Sequence, residues 1–151
     1  GVLAGRLHNA QTAAVLGEEP TGNARAIDCT FEPIVRMTTT YIEGGDLDFD
    51  QLIAPIKKGY FIKSIRHGSG MSTFTIAPAL AYEIVDGKIG KPTQISVLTG
   101  SVFETLGLID GLTRDVHLLS FVTGGCGKME QSGLPVGFGG PYVRVSSMNV
   151  Q

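Results

Sequence analysis

The sequence predicts a mostly β fold of the α+β class, in which an antiparallel, strongly twisted or barrel-like sheet carries two short helices. Glycine is the first indication, because 21 of the 151 residues are glycine and they lie between apolar runs, as turn glycines do in β-rich folds. The second is an alternating, β-branched run at 33–42, and the third is Asp86-Gly87, a two-residue hairpin signal. We expect residues 1–151 to form a single domain.

Alternating side chains and β-branched residues predict further strands. A turn at 67–70 and the Asp86-Gly87 turn separate the central ones, and Pro78 interrupts the longest. The Gly-rich segments 124–128 and 133–140 are predicted to be loops. In chain order, the predicted strands cover 33–42, 60–66, 72–85, 95–98, 116–122 and 142–150.

Both predicted helices begin at a capping residue. The first covers 46–56, with Asp46 or Asp48 as the cap, and Pro55 keeps it short. The second covers 101–109, with Ser101 as the cap and Glu104 completing a capping box. Apolar residues also lie near helical spacing at 3–16, ahead of a helix-breaking loop at 17–23.

The charge balance argues against one class of function. Twelve Lys and Arg against 14 Asp and Glu give a formal charge of −2, and no dense basic stripe occurs. Nucleic-acid binders that act through counterion release usually carry such a stripe, so we expect no direct nucleic-acid partner. The sequence also shows no transmembrane stretch and no signal peptide, so we expect no membrane partner. Two cysteines without a disulfide framework favour a cytoplasmic location.

Three common catalytic motifs fail on this sequence. A phosphate-binding loop ending at Lys128 would need Gly at position 122 and Ser or Thr at 129, where the chain has Val122 and Met129. The segment 137–142 lacks the third glycine of a dinucleotide fingerprint, and no Gly-x-Ser-x-Gly elbow is present. Nothing therefore favours nucleotide binding through these loops, or a hydrolase of the nucleophile-elbow type.

The three histidines show no metal-ligand spacing. A zinc site assembled from His8, His67, His117 and Cys126 stays an alternative, but a turn position for His67 and a packed core position for His117 are simpler interpretations. Cys29 is expected to be a buried, inert thiol. A disulfide between the two cysteines is the less favoured alternative.

Cys126 has a more suggestive setting. It follows a predicted strand, is flanked by Gly125 and Gly127, and precedes Lys128. Small neighbours let a ligand approach the backbone, and a nearby cation favours the thiolate that binds metal. The same residues fit a chance cysteine within a turn glycine cluster, so both interpretations stay open on the residues alone.

Five segments taken in order carry a family resemblance over essentially the whole chain. They are Gly5-Arg-Leu-His-Asn with Thr12-Ala13 and Leu16-Gly17; Pro20-Thr-Gly-Asn-Ala-Arg25; Arg36-Met-Thr-Thr-Thr-Tyr41; Gly124-Gly-Cys-Gly-Lys128 with Gln131; and Pro135-Val-Gly-Phe-Gly-Gly-Pro141. Together they resemble the C-terminal domain of the TldD/PmbA family, whose members are called modulators of DNA gyrase and are similar to zinc metallopeptidases. One position departs from the family pattern, because Thr39 stands where Asn is usual.

The resemblance implies a zinc ligand in this chain. Family members hold a catalytic zinc with a His-Glu-x-x-x-His helix and with the cysteine of the Gly-x-Cys-Gly-Lys loop, which would be Cys126 here, as in the TldD-like branch. The helix is absent from this sequence, and we expect it in an N-terminal part of a longer, two-domain protein. The chain alone is therefore expected to have no catalytic residue, no peptidase activity and no bound zinc.

The resemblance also implies partners. The substrate would be a peptide or small unfolded protein, held in extended form at a sheet edge, with Arg36, Tyr41, Gly125 and Gly127 as expected contacts. A homo- or hetero-oligomer with a family member is expected. The alternative function is a non-catalytic partner or assembly module of such a complex. A third possible function, gyrase or DNA binding, is suggested only by the family's older name.

Overall fold

The computed structural model describes residues 2–151, which divide into two compact units. One, here called the motif unit, comprises Val2–Glu43 and Val116–Gly140. The other, here called the hairpin unit, comprises Gly44–Asp115 and Pro141–Gln151. Each is described by itself, and the single domain expected over 1–151 stays a prediction.

Strands dominate residues 2–151, and the helices are short. The helices are α1 (Ala10–Leu16), α2 (Phe49–Ile53) and α3 (Val102–Gly107). The strands are β1 (Ala24–Arg25), β2 (Ile34–Val35), β3 (Thr39–Tyr41), β4 (Lys58–Gly70), β5 (Thr73–Val85), β6 (Lys88–Thr93), β7 (Leu98–Ser101), β8 (Ile109–Leu112), β9 (His117–Lys128), β10 (Gln131–Gly140), β11 (Val143–Val145) and β12 (Asn149–Val150).

The motif unit is built on a three-stranded sheet in the order β3-β10-β9. Strands β9 and β10 form an antiparallel hairpin, whereas β3 runs parallel to β10. The short strands β1 and β2 pair separately. Helix α1 begins at Asn9, whose side chain accepts from the Thr12 N–H, and ends at Gly17 in the left-handed conformation (φ 65°).

The hairpin unit takes its name from β4 and β5, two paired strands of 13 residues each. Strands β7 and β12 extend this sheet beyond β5, and β6 pairs with β5. The buried residues Ala81, Ile95 and Leu98 form its core, against which Ile62 and Met148 pack. Strands β8 and β11 form a separate antiparallel pair.

The mostly β prediction is confirmed, with antiparallel pairing dominant. The Asp86-Gly87 hairpin is also confirmed, since both residues have positive φ (46° and 72°), as a type I′ turn requires. Helix α2 begins at Asp48, one of the two predicted caps, whose carboxylate accepts from the Gln51 N–H. The turn and the cap depend on interactions between residues close in sequence.

Five details of the structure differ from the prediction. The described residues form several separate sheets, none closed into a barrel, and contain three helices rather than two. Strand β4 continues through the turn expected at 67–70, and the predicted strands 33–42 and 142–150 are each divided in two. Ser101 precedes α3, but its side chain makes no capping hydrogen bond.

The largest error concerns the glycines. Segments 124–128 and 133–140, predicted to be loops, lie within strands β9 and β10. A strand needs backbone donors and acceptors rather than side chains, so a partner strand overrides the low β propensity of glycine. Cys126 consequently lies on a strand.

Candidate functional site

Cys126 lies near the end of β9, where the pairing with β10 is irregular. It is opposite Leu134, and the register shifts on both sides, between Gln131 and Leu134 and between Pro135 and Val136. Its side chain is half-buried and the thiol is not in a disulfide. A bulged strand re-aims its side chains relative to a regular ladder, so the local irregularity sets the direction of this sulfur.

A single guanidinium nitrogen connects Cys126 to the segment that follows β2. Nη2 of Arg36 donates to the Cys126 carbonyl oxygen at 3.0 Å and lies 3.4 Å from Cys126 Sγ. The same nitrogen lies 3.2 Å from the Gln131 carbonyl oxygen. One side chain therefore contacts both strands of the hairpin and the sulfur.

Arg36 is buried, with only 1% of its surface exposed. Its Nε and Nη1 atoms are buried and have no hydrogen-bond partner among the described residues. No carboxylate of residues 2–151 forms an ion pair with it. Because a buried guanidinium is costly without a compensating group, its contact with a sulfur that can become anionic is electrostatically significant.

Asn23 fixes the backbone of Arg36. The Arg36 N–H donates to the Asn23 carbonyl at 2.9 Å, and Asn23 Nδ2 donates to the Arg36 carbonyl at 3.1 Å. Asn23 is held in turn by Thr21, whose hydroxyl donates to Asn23 Oδ1 at 2.6 Å and accepts from the His8 N–H at 2.7 Å. These hydrogen bonds join three of the segments that carried the resemblance, 5–9, 20–25 and 36–41.

Gln131 is a second buried polar residue of the site, 1% exposed. Its Oε1 accepts from the Ile27 N–H at 3.0 Å, and its Nε2 donates to the Glu32 carbonyl at 2.9 Å. The side chain thus fastens the 27–32 segment to the start of β10. Sequence reasoning gave no role to Gln131 or Asn23, and their positions in the resembling segments were the signal available.

Two further cations bind backbone carbonyls around the site. Lys128 Nζ donates to the Val35 carbonyl at 2.9 Å. Arg25 donates from Nη1 to the Met37 carbonyl at 2.7 Å and from Nη2 to the Pro135 carbonyl at 2.9 Å. Arg25 therefore connects the 36–41 segment to β10 much as Arg36 does, but without contact to a sulfur.

The glycines around Cys126 differ in what they require. Gly124 and Gly125 have positive φ (150° and 110°). A Cβ on Gly125 would lie 2.8 Å from Val136 Cγ2, so a side chain there would meet both strain and a clash. A Cβ on Gly127 would lie 3.3 Å from Ser132 Oγ, its nearest contact. The irregular pairing at this point thus requires glycine at position 125, whereas position 127 can accept a small side chain.

The predicted substrate contacts are placed as follows. Tyr41, 49% exposed, ends β3 and is paired with Gly139. Gly125 and Gly127 flank Cys126 on β9. Arg36 has almost no exposed surface, so contact with a substrate would require it to become accessible. These four roles stay predictions.

Two histidine interpretations and one cysteine interpretation were wrong. His67 lies within β4 rather than in a turn, and His117 is exposed rather than in a packed core. Cys29 is exposed rather than buried. His8, by contrast, is only 2% exposed, and its Nε2 lies 2.7 Å from Glu18 Oε2. It belongs to the packing of α1.

Two carboxyl groups of the motif unit have lowered pKa values. The hydrogen bond with His8 is the main cause at Glu18, with Arg6 adding to it, so the pKa of Glu18 lies below its ordinary value. At Asp28, the hydroxyl and then the backbone N–H of Thr30 lower the pKa of the carboxyl, at 2.6 and 2.8 Å. Both effects favour the ionised carboxylate.

The positions of the His, Cys, Asp and Glu side chains determine how many zinc ligands the described residues can supply. Among residues 2–151, no group of three or more His, Cys, Asp or Glu side chains could hold a metal ion. A zinc site uses three or four protein ligands, so the described residues do not make a complete one. The half-buried Cys126 sulfur with an N–H donor beside it fits a single zinc ligand, because hydrogen-bond donors next to a metal ligand orient that ligand.

Comparison with known proteins identifies the family of the chain. A family model of the PmbA/TldA metallopeptidase C-terminal domain matches residues 1–151. The chain belongs to this family. The family resemblance predicted from the five segments is therefore confirmed, and the segments at 5–25, 36–41 and 124–140 lie in the motif unit.

Proteins named as metalloproteases are similar over nearly the whole chain. A metalloprotease of Methanothermobacter thermautotrophicus is 42% identical over 99% of this chain and 33% of its own length. A zinc metalloprotease TldD homolog of Saccharolobus solfataricus is 32% identical over 99% of this chain and 33% of its own. The chain thus spans about a third of the length of these relatives.

A solved structure shows the same fold. TldE from Thermococcus kodakarensis superposes with a TM-score of 0.75 over 97% of this chain and 31% of its own, at 17% identity. As for membrane association, no helix within residues 2–151 has the length and apolar character needed to cross a bilayer.

Proposed function

We propose that this chain is the C-terminal domain of a zinc-dependent metallopeptidase that cleaves peptides or small unfolded proteins, and that it contributes Cys126 as a zinc ligand. The observation that carries the proposal is the position of Cys126 Sγ, half-buried on a bulged strand and 3.4 Å from Arg36 Nη2. The metalloprotease names of the relatives support it. The other ligands would come from the part of the protein that precedes this domain.

Zinc bound at such a site would polarise the scissile carbonyl and activate a water molecule. The residues of this chain have a different task, which is to hold the sulfur and the substrate in fixed positions. Arg36 and Gln131 connect the hairpin to the 27–36 segment, so the Cys126 end of β9 is attached to buried structure. A fixed ligand geometry is what a catalytic metal site requires.

Strand β9 is the part of this domain best suited to bind an extended peptide. It is an edge strand of the β3-β10-β9 sheet and ends beside Cys126. Its exposed apolar side chains include Leu118, Leu119 and Val122 (55, 58 and 76% exposed). A strand added here would use backbone hydrogen bonds and apolar contacts that suit unfolded chains of many sequences.

A cavity of about 300 Å³ lies beside β9 and β10. Its lining includes Thr39, Ser120, Val122 and Gly137. We propose that it accepts a side chain of the bound peptide.

The full-length protein containing this domain provides the test. We expect stoichiometric zinc and cleavage of an unfolded peptide in the natural protein, and loss of both in Cys126→Ala. Cys29→Ala is the matched control, because Cys29 is an exposed free thiol and lies in a different segment from Cys126. This variant should retain zinc and activity. Unchanged zinc content in Cys126→Ala would overturn the assignment. A natural protein that is metal-free and inactive would favour the partner-module function instead.

We further propose that the full-length protein acts in the cytoplasm as an oligomer with itself or with another family member. The exposed apolar residues of β9 support association with other chains. A formal charge of −2 without a basic stripe supports a function without direct DNA contact. Sedimentation of the full-length protein tests the first point, and a duplex-binding assay at low salt tests the second.

A further inference from the structure

We infer that Arg36 is a positioning residue for the metal, which orients the Cys126 sulfur and the bulged strand that carries it. The inference rests on the proposed function of Cys126 as a zinc ligand. In this role Arg36 acts on the metal through Cys126 and is not itself a ligand.

The contacts of one nitrogen atom are the first argument. Arg36 Nη2 lies 3.0 Å from the Cys126 carbonyl oxygen, 3.2 Å from the Gln131 carbonyl oxygen and 3.4 Å from Cys126 Sγ. It therefore contacts the backbone of both strands where their register shifts. A sulfur held by a donor that is also bound to its own backbone has a restricted side-chain direction.

The burial of the guanidinium is the second argument. Arg36 is 1% exposed, its Nε and Nη1 have no hydrogen-bond partner among residues 2–151, and no carboxylate of these residues pairs with it. The contact with Cys126 Sγ brings it beside a group that binds metal as an anion. A buried cation is thus best compensated when the sulfur carries a negative charge.

The rigidity of Arg36 is the third argument. Asn23 bonds both its N–H and its carbonyl, and Asn23 is itself 7% exposed and held by Thr21. The guanidinium therefore extends from a backbone that cannot readily shift. The 20–25 segment therefore fixes the position of Arg36, and Arg36 in turn contacts the Cys126 sulfur.

Lysine cannot reproduce this arrangement. A lysine ammonium is a flexible point charge, whereas the planar guanidinium has donors in fixed directions. Arg36→Lys should therefore keep the charge near the sulfur but lose the orientation. Arg36→Met removes the charge and the donors while keeping an unbranched side chain that fills the space of the arginine stem.

The test uses the full-length protein with the variants Arg36→Met, Arg36→Lys and Cys126→Ala. The matched control is Arg25→Met, since Arg25 also donates to two backbone carbonyls, those of Met37 and Pro135, but donates no hydrogen bond to Cys126 within residues 2–151. Zinc affinity is measured by competition with a chromophoric chelator, after thermal unfolding has shown that each variant is folded. Cobalt substitution then reports the cobalt–thiolate charge-transfer band.

We expect Arg36→Met to bind zinc about 10- to 100-fold more weakly, the range typical for loss of a residue that is hydrogen-bonded to a metal ligand. Arg25→Met should bind zinc like the natural protein. Arg36→Lys should show a smaller loss and a shifted cobalt band. Natural zinc affinity and an unshifted cobalt band in the Arg36 variants would overturn the inference. If Arg36→Met does not fold, the zinc affinity and the cobalt band of Arg36→Lys decide whether the inference holds.

Cys126→Ala separates the two proposals. If this variant loses zinc while both Arg36 variants keep natural affinity, the ligand assignment stands and the role of Arg36 is wrong. If Cys126→Ala keeps zinc, the proposed function itself is wrong. An equal loss of affinity in Arg36→Met and Arg25→Met would also overturn the inference, because it would indicate a general effect on the sheet.

Discussion

Asn23 holds Arg36 through both of its backbone polar groups, at 2.9 Å to the N–H and 3.1 Å to the carbonyl. The two residues lie in segments that are 13 positions apart, and Arg36 in turn contacts Cys126, 90 positions further along the chain. A path of direct contacts therefore runs from the 20–25 segment to the candidate zinc ligand. Asn23 and Arg36 are buried polar residues, and the hydrogen bonds of this path satisfy part of their polar groups.

The Asn23 bond predicts a large effect of a small substitution. Asn23→Ala leaves the buried Arg36 carbonyl without its side-chain donor, and removal of one partner from a buried hydrogen bond costs about 1–3 kcal/mol of unfolding free energy. Asn149→Ala, at an exposed position of β12, should stay within about 0.5 kcal/mol of the natural chain. Chemical denaturation of both variants measures the difference. Equal stability of the two would contradict the role given to Asn23.

The two glycines next to Cys126 allow a matched comparison of strain. Gly125 has a φ of 110°, and a Cβ there would lie 2.8 Å from Val136 Cγ2. Gly125→Ala should therefore destabilise the chain by about 1–3 kcal/mol, the usual cost of a strained backbone conformation, with the clash adding to it.

Gly127→Ala is the control for this prediction. Its added Cβ would meet Ser132 Oγ at 3.3 Å, and a rotation of that hydroxyl relieves the contact. The free energy of unfolding should change by less than about 0.5 kcal/mol. Denaturation curves that place Gly127→Ala below Gly125→Ala in stability would show that the bulge does not depend on Gly125.

The features predictable from sequence are those that neighbouring residues determine. Asp86-Gly87 forms the expected turn because its conformation depends on two residues, and Asp48 caps α2 through a residue three positions away. The 133–140 segment was predicted to be a loop because its pairing depends on β9 and β3 rather than on its own side chains. The candidate site follows the same rule. Cys126 was identifiable from its neighbours and the resemblance, whereas the burial of Arg36 depends on residues 90 and 95 positions away.

The contact between His8 and Glu18 predicts how stability depends on pH. His8 Nε2 lies 2.7 Å from Glu18 Oε2, and this hydrogen bond, with Arg6, lowers the pKa of Glu18 in the folded chain. A carboxyl whose folded pKa is lowered stabilises the fold above its unfolded pKa, about 4.3 for glutamate, and loses that contribution as the pH falls through the folded value.

Substitution of Glu18 by glutamine isolates this contribution. Glu18→Gln cannot ionise, so its unfolding free energy should fall less steeply than that of the natural chain as the pH is lowered from 6 through the acidic range below about 4.3. Glu19→Gln is the control for the loss of one exposed carboxyl, because it leaves the contact between Glu18 and His8 intact. Denaturation midpoints across this pH range give the three slopes. A Glu18→Gln slope equal to the natural one would mean that the His8 contact contributes nothing to the acid sensitivity of the fold.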